Sequence, residues 1–210
     1  MGTSSQICGT GLQILDTEPA GTTVQWNQPQ NINSDDGTPT APFSALTSST
    51  TATRYLKAAE FGHSIPVGAT INGIELELDM TIAGTSVRPY QIRLSGVTTG
   101  LSDDLSDGLN LPSNQTKTFG DSSETWGNSW TISELEADTF SAYISVTGTA
   151  PSNFFSTNID YVKTIIYYTE AGGGGGGGPD FNIKIGGQSI SRIMMGDQPI
   201  GRVNHGSTSI

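Results

Sequence analysis

Apolar and polar residues alternate most regularly at the end of the stretch that runs from Phe61 to Leu78. A turn-rich approach leads into this alternation, whose two faces carry Ile74, Leu76 and Leu78 on one side and Glu75, Glu77 and Asp79 on the other. A period of two residues indicates a strand with one buried face and one solvated face. We therefore expect the central strand of the fold here.

Shorter segments of the same kind recur along the chain, separated by glycine, proline, serine and aspartate. They are Gln6–Leu15, Val24–Trp26, Thr53–Lys57, Arg88–Leu94 with Tyr90, Ile92 and Leu94 as its repeating positions, Thr116–Phe119, Thr139–Val146 and Ile159–Tyr168. The last segment is dense in β-branched and aromatic residues, which favours a central position in its sheet. About eight or nine strands predict an all-β fold, a jelly-roll-like antiparallel β-sandwich.

One short helical turn is expected between the strands. Thr131 with Glu134, and Ser133 with Glu136, both have the spacing of a capping box, in which each side chain bonds the other residue's backbone N–H. Trp26 is predicted to be a core residue.

A run of glycines from Gly172 to Gly178 marks a domain boundary, because polyglycine loses the most backbone entropy on ordering. The predicted organisation is an N-terminal arm (residues 1–23), a β-sandwich domain (24–170), a polyglycine linker (171–179) and a C-terminal β-repeat segment (180–210).

The C-terminal segment repeats with a period of ten: Gly186–Ile193 aligns with Gly196–Val203, and Gly206–Ile210 begins a third copy. Each unit reads as a glycine turn followed by a short strand, and three such strands are too few to bury a core. We therefore predict an anchoring or oligomerising segment. It would contact a neighbouring protein or copies of itself through Ile190, Arg192, Ile193, Ile200, Arg202 and Val203. The alternative is a ribbon that packs on its own sandwich.

Charge separates the two parts of the chain. The net charge is −11; residues 180–210 carry 3 − 2 = +1 and the remainder carries 6 − 18 = −12. An acidic surface argues against nucleic acid as a partner, since binding it requires basic residues.

No segment approaches the roughly 20 apolar residues that span a bilayer, and no secretory signal is visible, so we expect a protein that starts in the cytoplasm and has no membrane partner. A single cysteine, Cys8, excludes an intramolecular disulfide.

Two acidic loops offer the only hints of a metal site. Carboxylates beside glycine in Asn33–Gly37 could bind calcium, or the loop could be a turn held by aspartate hydrogen bonds to its own backbone. The terminal glutamate of an EF-hand is missing, which favours the turn. The loop Gly100–Ser113 presents the same choice, with an exposed charged loop as the simpler interpretation. We predict no metal-binding residue.

Residues suited to catalysis are few. No aspartate-rich or serine-rich context of a nucleophile accompanies His63, and we interpret it as a turn or rim residue. Trp126 and Trp130 could form a platform on which a sugar ring stacks, or they could plug one end of the sandwich. We predict no catalytic residue and no cofactor, and therefore no enzymatic activity.

Three stretches carry a resemblance to a known module: "FGHSIPVGATINGIELEL" at Phe61–Leu78, "GDSSETWGNSW" at Gly120–Trp130 and "IDYVKTIIYYT" at Ile159–Thr169. Together they resemble a β-sandwich module common in virion proteins of tailed bacteriophages. Asp160 matches the module's pattern, whereas His63 departs from it. The C-terminal repeat is similar to the glycine-strand repeats at the ends of phage structural proteins.

This resemblance implies a structural protein of the virion, made in the host cytoplasm. Its place would be a capsid decoration, a head fibre or a tail appendage, with other virion proteins bound through the C-terminal segment. The expected state is a homo-oligomer, a trimer by analogy with phage appendages. The alternative function is a carbohydrate-binding module or host-receptor adhesin, whose ligand would be a host surface glycan on Trp126 and Trp130.

Overall fold

The computed structural model describes residues 1–13, 24–42, 52–83, 87–109, 115–148 and 156–171, together with the backbone of short strands at 183–185, 188–190, 194–195 and 198–199. By its internal contacts the chain divides into two units, Met1–Ala171 and Gly172–Ile210. No helix in the described ranges is long and apolar enough to cross a membrane.

Strands dominate the first unit. In chain order they are β1 (Gly2–Ile7), β2 (Thr10–Gln13), β3 (Trp26–Asn27), β4 (Ala41–Pro42), β5 (Leu56–Ala59), β6 (Thr70–Ala83), β7 (Val87–Gly96), β8 (Gly100–Leu101), β9 (Gln115–Gly120), β10 (Ser141–Gly148) and β11 (Ser156–Thr169). A 3₁₀ turn (Pro29–Ile32) and the helix α1 (Ile132–Leu135) interrupt them.

Two antiparallel sheets form the sandwich. One has the order β1-β11-β6-β9 and the other β2-β5-β10-β7-β8, while β3 and β4 pair separately. Apolar side chains from both sheets belong to one core, which also contains Trp26. The predicted all-β class is therefore confirmed.

The alternation in β6 is realised as predicted. Ile74, Leu76 and Leu78 are fully buried, and the acidic residues between them are half-buried on the opposite face. Each buried aliphatic side chain contributes roughly 2 kcal/mol of hydrophobic stabilisation. β11 lies between β1 and β6, which confirms its predicted central position.

β7 differs from the predicted alternation at Tyr90. The pairing register with β10 shifts between Ser145 and Val146, so that Ser145 faces Gln91 and Val146 faces Pro89. Tyr90 is the extra residue of this irregularity and is 39 % exposed, whereas Val87 is buried. A β-bulge of this kind reverses the side-chain alternation on one strand.

The first residues of the chain lie in both sheets, which differs from the arm expected at residues 1–23. β1 pairs with β11, and β2 pairs with β5. Between them, Cys8 N–H donates to Val162 O at 3.0 Å, and Gly9 N–H donates to Ala59 O at 3.0 Å. The chain can pass from one sheet to the other within two residues because the N–H of Cys8 bonds to β11 in the first sheet and the N–H of Gly9 bonds to β5 in the second. Residues 14–23 lie outside the described ranges.

α1 begins with the expected capping box. Thr131 Oγ1 accepts from Glu134 N–H, and the Glu134 carboxylate accepts from Thr131 N–H. The second candidate pair is not used, since Glu136 Oε1 accepts instead from Ile65 N–H at 2.7 Å.

The described residues of the second unit form two antiparallel hairpins. β12 (Ile183–Ile185) pairs with β13 (Gln188–Ile190), and β14 (Met194–Met195) pairs with β15 (Gln198–Pro199). The strands of the second hairpin lie about ten residues after those of the first, which is the period of the repeat, and residues 186–187 and 196–197 between the paired strands lie outside the described residues. The third copy, from Gly206, lies outside the described residues.

Candidate functional site

The residues predicted to bind a partner fall almost entirely outside the described part of the chain. Ile190 lies in β13 directly opposite Ile183 of β12. Arg192, Ile193, Ile200, Arg202 and Val203 are not described. Each hairpin is a two-stranded sheet, a form that is marginally stable alone. Partner binding by this segment stays a prediction.

Trp126 and Trp130 do not form an exposed platform. Trp126 is fully buried and its Nε1–H donates to Ile74 O at 2.8 Å. Trp130 is 8 % exposed, donates from Nε1–H to Thr125 O at 2.8 Å, and meets the edge of Phe140 with ring centroids 5.6 Å apart. Because both indoles pack into the core, the structure corresponds to the plug and not to the glycan platform.

His63 is a core residue, which corrects its interpretation as a turn or rim residue. It is 5 % exposed; Nδ1 lies 3.0 Å from Ser4 Oγ, and Nε2 lies 2.7 Å from Thr164 Oγ1. Burial lowers the pKa of His63 from 6.5 to about 4, so the ring is neutral at pH 7. It therefore joins β1 to β11 and stacks on Phe61, away from any solvent-borne substrate.

Three aspartates from distant parts of the chain meet at one end of the first sheet. A register shift in β11 pairs Ile159 with Met80 and Tyr161 with Asp79, leaving Asp160 as the extra residue. The loop after the 3₁₀ turn follows the same end of β11, where Thr40 and Ile159 exchange N–H···O bonds of 2.9 Å. The bulge and the loop thereby bring Asp160 and Asp35 beside Asp79.

The carboxylates of Asp35, Asp79 and Asp160 offer oxygen atoms within 4.8 Å of one another. Asp160 Oδ2 accepts from Gly37 N–H at 3.0 Å, while its Oδ1 is buried and has no hydrogen bond among the described residues. Burial raises the pKa of Asp79, and the charges of Asp160 and Asp35 raise it further. Like charges held together in this way disfavour one another's ionisation.

Calcium prefers carboxylate oxygens, so the chemistry of these three residues suits such an ion, although a complete shell requires about six to eight oxygens. Asp36, in the same loop, instead forms the turn that was the alternative to a metal. Its Oδ1 accepts from Thr38 N–H at 2.8 Å and its Oδ2 from Ser34 Oγ at 2.8 Å. The sequence indicated the loop, but it did not indicate that Asp79 and Asp160 would join it.

Carboxylates of the second acidic loop have protein partners. Asp104 Oδ1 accepts from Ile92 N–H at 2.9 Å and from Ser106 N–H at 3.0 Å. Asp107 Oδ2 lies 2.7 Å from Lys117 Nζ. In its described part, 100–109, the loop is therefore attached to β7 and β9, and these bonds account for both carboxylates without a metal ion.

Comparison with known proteins yields one weak structural likeness. No protein-family model matches the chain, and no curated protein matches it. The solved structure of the enzymatically active domain of tailspike protein 4 from bacteriophage CBA120 is similar, with a TM-score of 0.34 and 14 % sequence identity. The match covers 79 % of this chain and 19 % of that chain, so this chain corresponds to about a fifth of its neighbour.

This finding corrects one expectation. The sequence led us to expect no enzymatic activity, yet the neighbouring structure is an enzymatically active domain. The exclusion of enzymatic activity is therefore withdrawn. A TM-score of 0.34 assigns neither a reaction nor a catalytic residue to this chain.

Proposed function

We propose that this protein is a structural component of a tailed-bacteriophage virion, where the sandwich is exposed and the C-terminal hairpins attach it to the particle. The observation that carries the proposal is the division of the chain into a strand-rich unit with its own core and a unit of repeated two-stranded hairpins. The sequence resemblance to virion sandwich modules supplies the biological context.

The two units differ in what they need from a partner. The described part of Met1–Ala171 has a core of its own, built from apolar side chains of both sheets. Its surface is acidic, which favours a solvated exterior. A two-stranded hairpin has too few strands to bury both of its faces, so the segment 183–199 gains stability when another surface covers it. A capsid decoration, a head fibre and a tail appendage all meet this description, and self-association as a trimer is part of the proposal.

The test compares two aspartate substitutions on neighbouring residues of β13 in the full-length chain. In the pairing register Ile190 lies opposite Ile183 and Ser189 lies opposite Lys184, and successive residues of a strand belong to opposite faces. We expect Ile190→Asp to abolish rebinding to particles stripped of this protein and to shift the oligomer to monomer in analytical ultracentrifugation. Ser189→Asp adds the same charge and is expected to retain both properties.

Equal rebinding and equal assembly of both variants and the unaltered protein would remove the anchoring role. Electron microscopy of rebound particles then distinguishes a position on the capsid from one on the tail. The melting temperature of the first unit serves as the control for folding, because neither substitution lies within Met1–Ala171.

A further inference from the structure

One row of side chains crosses four strands on the outer side of the second sheet. The pairing registers place Leu12 of β2, Lys57 of β5, Tyr143 of β10 and Arg93 of β7 side by side. Residues before and after the row on β5, β10 and β7 belong to the core, so the row lies on the side of the sheet that faces away from it. These core residues are Leu56, Ala58, Ala142, Ile144, Ile92 and Leu94. We call Leu12, Lys57, Tyr143 and Arg93 the basic face.

The second sheet is basic although the chain as a whole is strongly acidic. The net charge of the chain is −11, yet no residue of β2, β5, β7, β8 or β10 is acidic, and Lys57, Arg88 and Arg93 are basic. Lys57 Nζ lies 5.8 Å from the centre of the Tyr143 ring, and Arg93 Nη1 donates to Ser102 O at 2.5 Å. Neither Lys57 nor Arg93 forms a salt bridge with a described carboxylate. The basic face therefore carries positive charge that no described residue neutralises.

Exposed apolar side chains accompany these charges at both edges of the sheet. β2 and β8 are its edge strands. Leu12 of β2 is 49 % exposed; Leu101 of β8, which pairs with Ser95, is 46 % exposed. Ser95 lies two residues beyond Arg93 and thus on the same side of β7. Tyrosine and arginine are enriched in protein–protein interfaces, so this combination of residues fits contact with a protein surface.

The outer side of the first sheet carries the opposite charge. Glu75, Glu77 and Asp79 of β6 alternate with buried aliphatic residues and are half-buried; we call these three residues the acidic face. Glu77 Oε1 lies 2.6 Å from Lys163 Nζ, which compensates its charge. Glu75 Oε2 accepts from the Tyr167 hydroxyl at 3.1 Å, and neither Glu75 nor Asp79 forms a salt bridge with a described residue. The acidic face therefore keeps negative charge that Lys163 does not neutralise.

The two faces lie on opposite sides of one sandwich, because the core lies between the two sheets. We propose that the basic face binds the acidic face of a second copy of this chain. The surface that complements the basic face is an acidic sheet, and every copy supplies one on its other side. Contact between two like faces is disfavoured by charge repulsion. The contact is heterologous, so that copies either close into a ring or continue as a stack, depending on the rotation between neighbours.

This contact is separate from attachment through the C-terminal hairpins, and either can fail without the other. Ion pairs between exposed side chains are individually weak and are screened by salt. The measured quantity is therefore the increase in weight-average mass when the ionic strength is lowered, obtained by sedimentation equilibrium of the full-length chain at high protein concentration. The starting protein carries Ile190→Asp, which minimises any contribution of the hairpins. We expect it to associate at low ionic strength and to dissociate at high ionic strength.

Glu75→Lys is the discriminating variant. It makes the chain less negative, so a general reduction in repulsion between copies would increase association. Loss of the complementary charge on the acidic face should instead weaken the association constant at least about tenfold. Asp138→Lys makes the same change of charge at an exposed residue between α1 and β10, outside both faces, and is expected to retain association. Equal losses in both lysine variants would overturn the proposal.

Lys57→Glu reverses a charge of the basic face and should weaken association by a similar factor. A mixture of Lys57→Glu and Glu75→Lys should associate again, because each variant then meets a face of opposite charge. Melting temperatures check that both variants fold; if Glu75→Lys is unstable, Asp79→Lys reverses another charge of the acidic face and removes the repulsion from Asp160 and Asp35. The proposal is wrong if the starting protein shows no salt-dependent association, if either reversal leaves the association unchanged, or if the mixture stays monomeric.

Discussion

Glu134 and Asp79 are both carboxylates at the edge of the core, but their surroundings are opposite. Glu134 is 6 % exposed and accepts hydrogen bonds from Thr98 and Thr99 through one oxygen and from Thr131 through the other. Burial raises the pKa of Glu134, but the bonds from Thr98 and Thr131 outweigh it and lower the pKa to about 2. Asp79 is half-buried beside two further carboxylates, and its pKa is raised.

The difference separates a structural carboxylate from an uncompensated one. The charge of Glu134 ties the turn between β7 and β8 to the start of α1, so ionisation strengthens the fold. The negative charges of Asp35 and Asp160 repel that of Asp79, so ionisation of Asp79 destabilises the fold. Uncompensated charge that a fold retains is a feature of ligand sites as well as of acidic surfaces. Stability measurements on each group distinguish these roles.

The largest effect is expected for Glu134→Ala. The substitution leaves the N–H groups of Thr98, Thr99 and Thr131 without their acceptor, and we expect the free energy of unfolding to fall by about 3 kcal/mol. Urea denaturation at pH 7 measures this loss. Glu136→Ala is the matched control, because Glu136 is exposed and accepts one described bond, from Ile65; it should cost about 1 kcal/mol.

Acid should remove the contribution of Glu134. Because its folded pKa lies below the ordinary 4.5, the stabilisation is complete above pH 4.5 and declines as the pH falls toward about 2. The stability difference between the unaltered protein and Glu134→Ala should therefore narrow over that window. If this stability difference stayed constant down to pH 2, the hydrogen bonds of Glu134 would not depend on its ionised carboxylate, and the prediction would be wrong.

The next effect concerns His63, which contrasts with Glu134 because burial alone lowers its pKa. Between pH 6.5 and about 4 the unfolded chain binds a proton that the folded protein does not. The free energy of unfolding should therefore decrease as the pH is lowered through this window, by up to about 3 kcal/mol. We expect His63→Gln to flatten the profile of unfolding free energy in this window. His205→Gln changes the other histidine of the chain and should leave the slope intact. An unchanged slope in His63→Gln would show that this residue does not titrate as described.

The smallest effect is expected for Asp79→Asn. A raised folded pKa means that stability is highest when Asp79 is protonated and decreases as the pH rises through that pKa, so removing the charge should stabilise the protein at pH 7. We expect a gain of about 1 kcal/mol or less, since the site is partly solvated, and a smaller gain at high salt. Thermal unfolding at low and high ionic strength measures it.

Calcium provides the sharper form of this experiment. An ion bound by the three aspartates would raise the melting temperature of the unaltered protein relative to a chelator, and the increase would disappear in Asp79→Asn. The control is Asp36→Asn, because Asp36 belongs to the same loop but is occupied by its turn. Equal changes of melting temperature with calcium in all three proteins would show that the three aspartates do not bind the ion and form only an acidic surface.

Local patterns predicted the parts of the fold that depend on neighbours along the chain. The alternation in β6 indicated the burial of Ile74, Leu76 and Leu78, and the spacing of Thr131 and Glu134 indicated the helix cap. Tyr90 was wrongly predicted because a bulge depends on the pairing partner, which no periodicity in β7 reveals. His63 was misplaced because its partners Ser4 and Thr164 lie far from it in the chain.

The amino-acid sequence by itself determined the strand content, the acidic surface and the boundary at the glycine run, because propensity, charge and backbone entropy are properties of residues and their immediate neighbours. Only the tertiary structure decided that Asp35, Asp79 and Asp160 meet and that both tryptophans enter the core. Each of these depends on which strands pair and in what register, and that choice is made by packing of the whole domain.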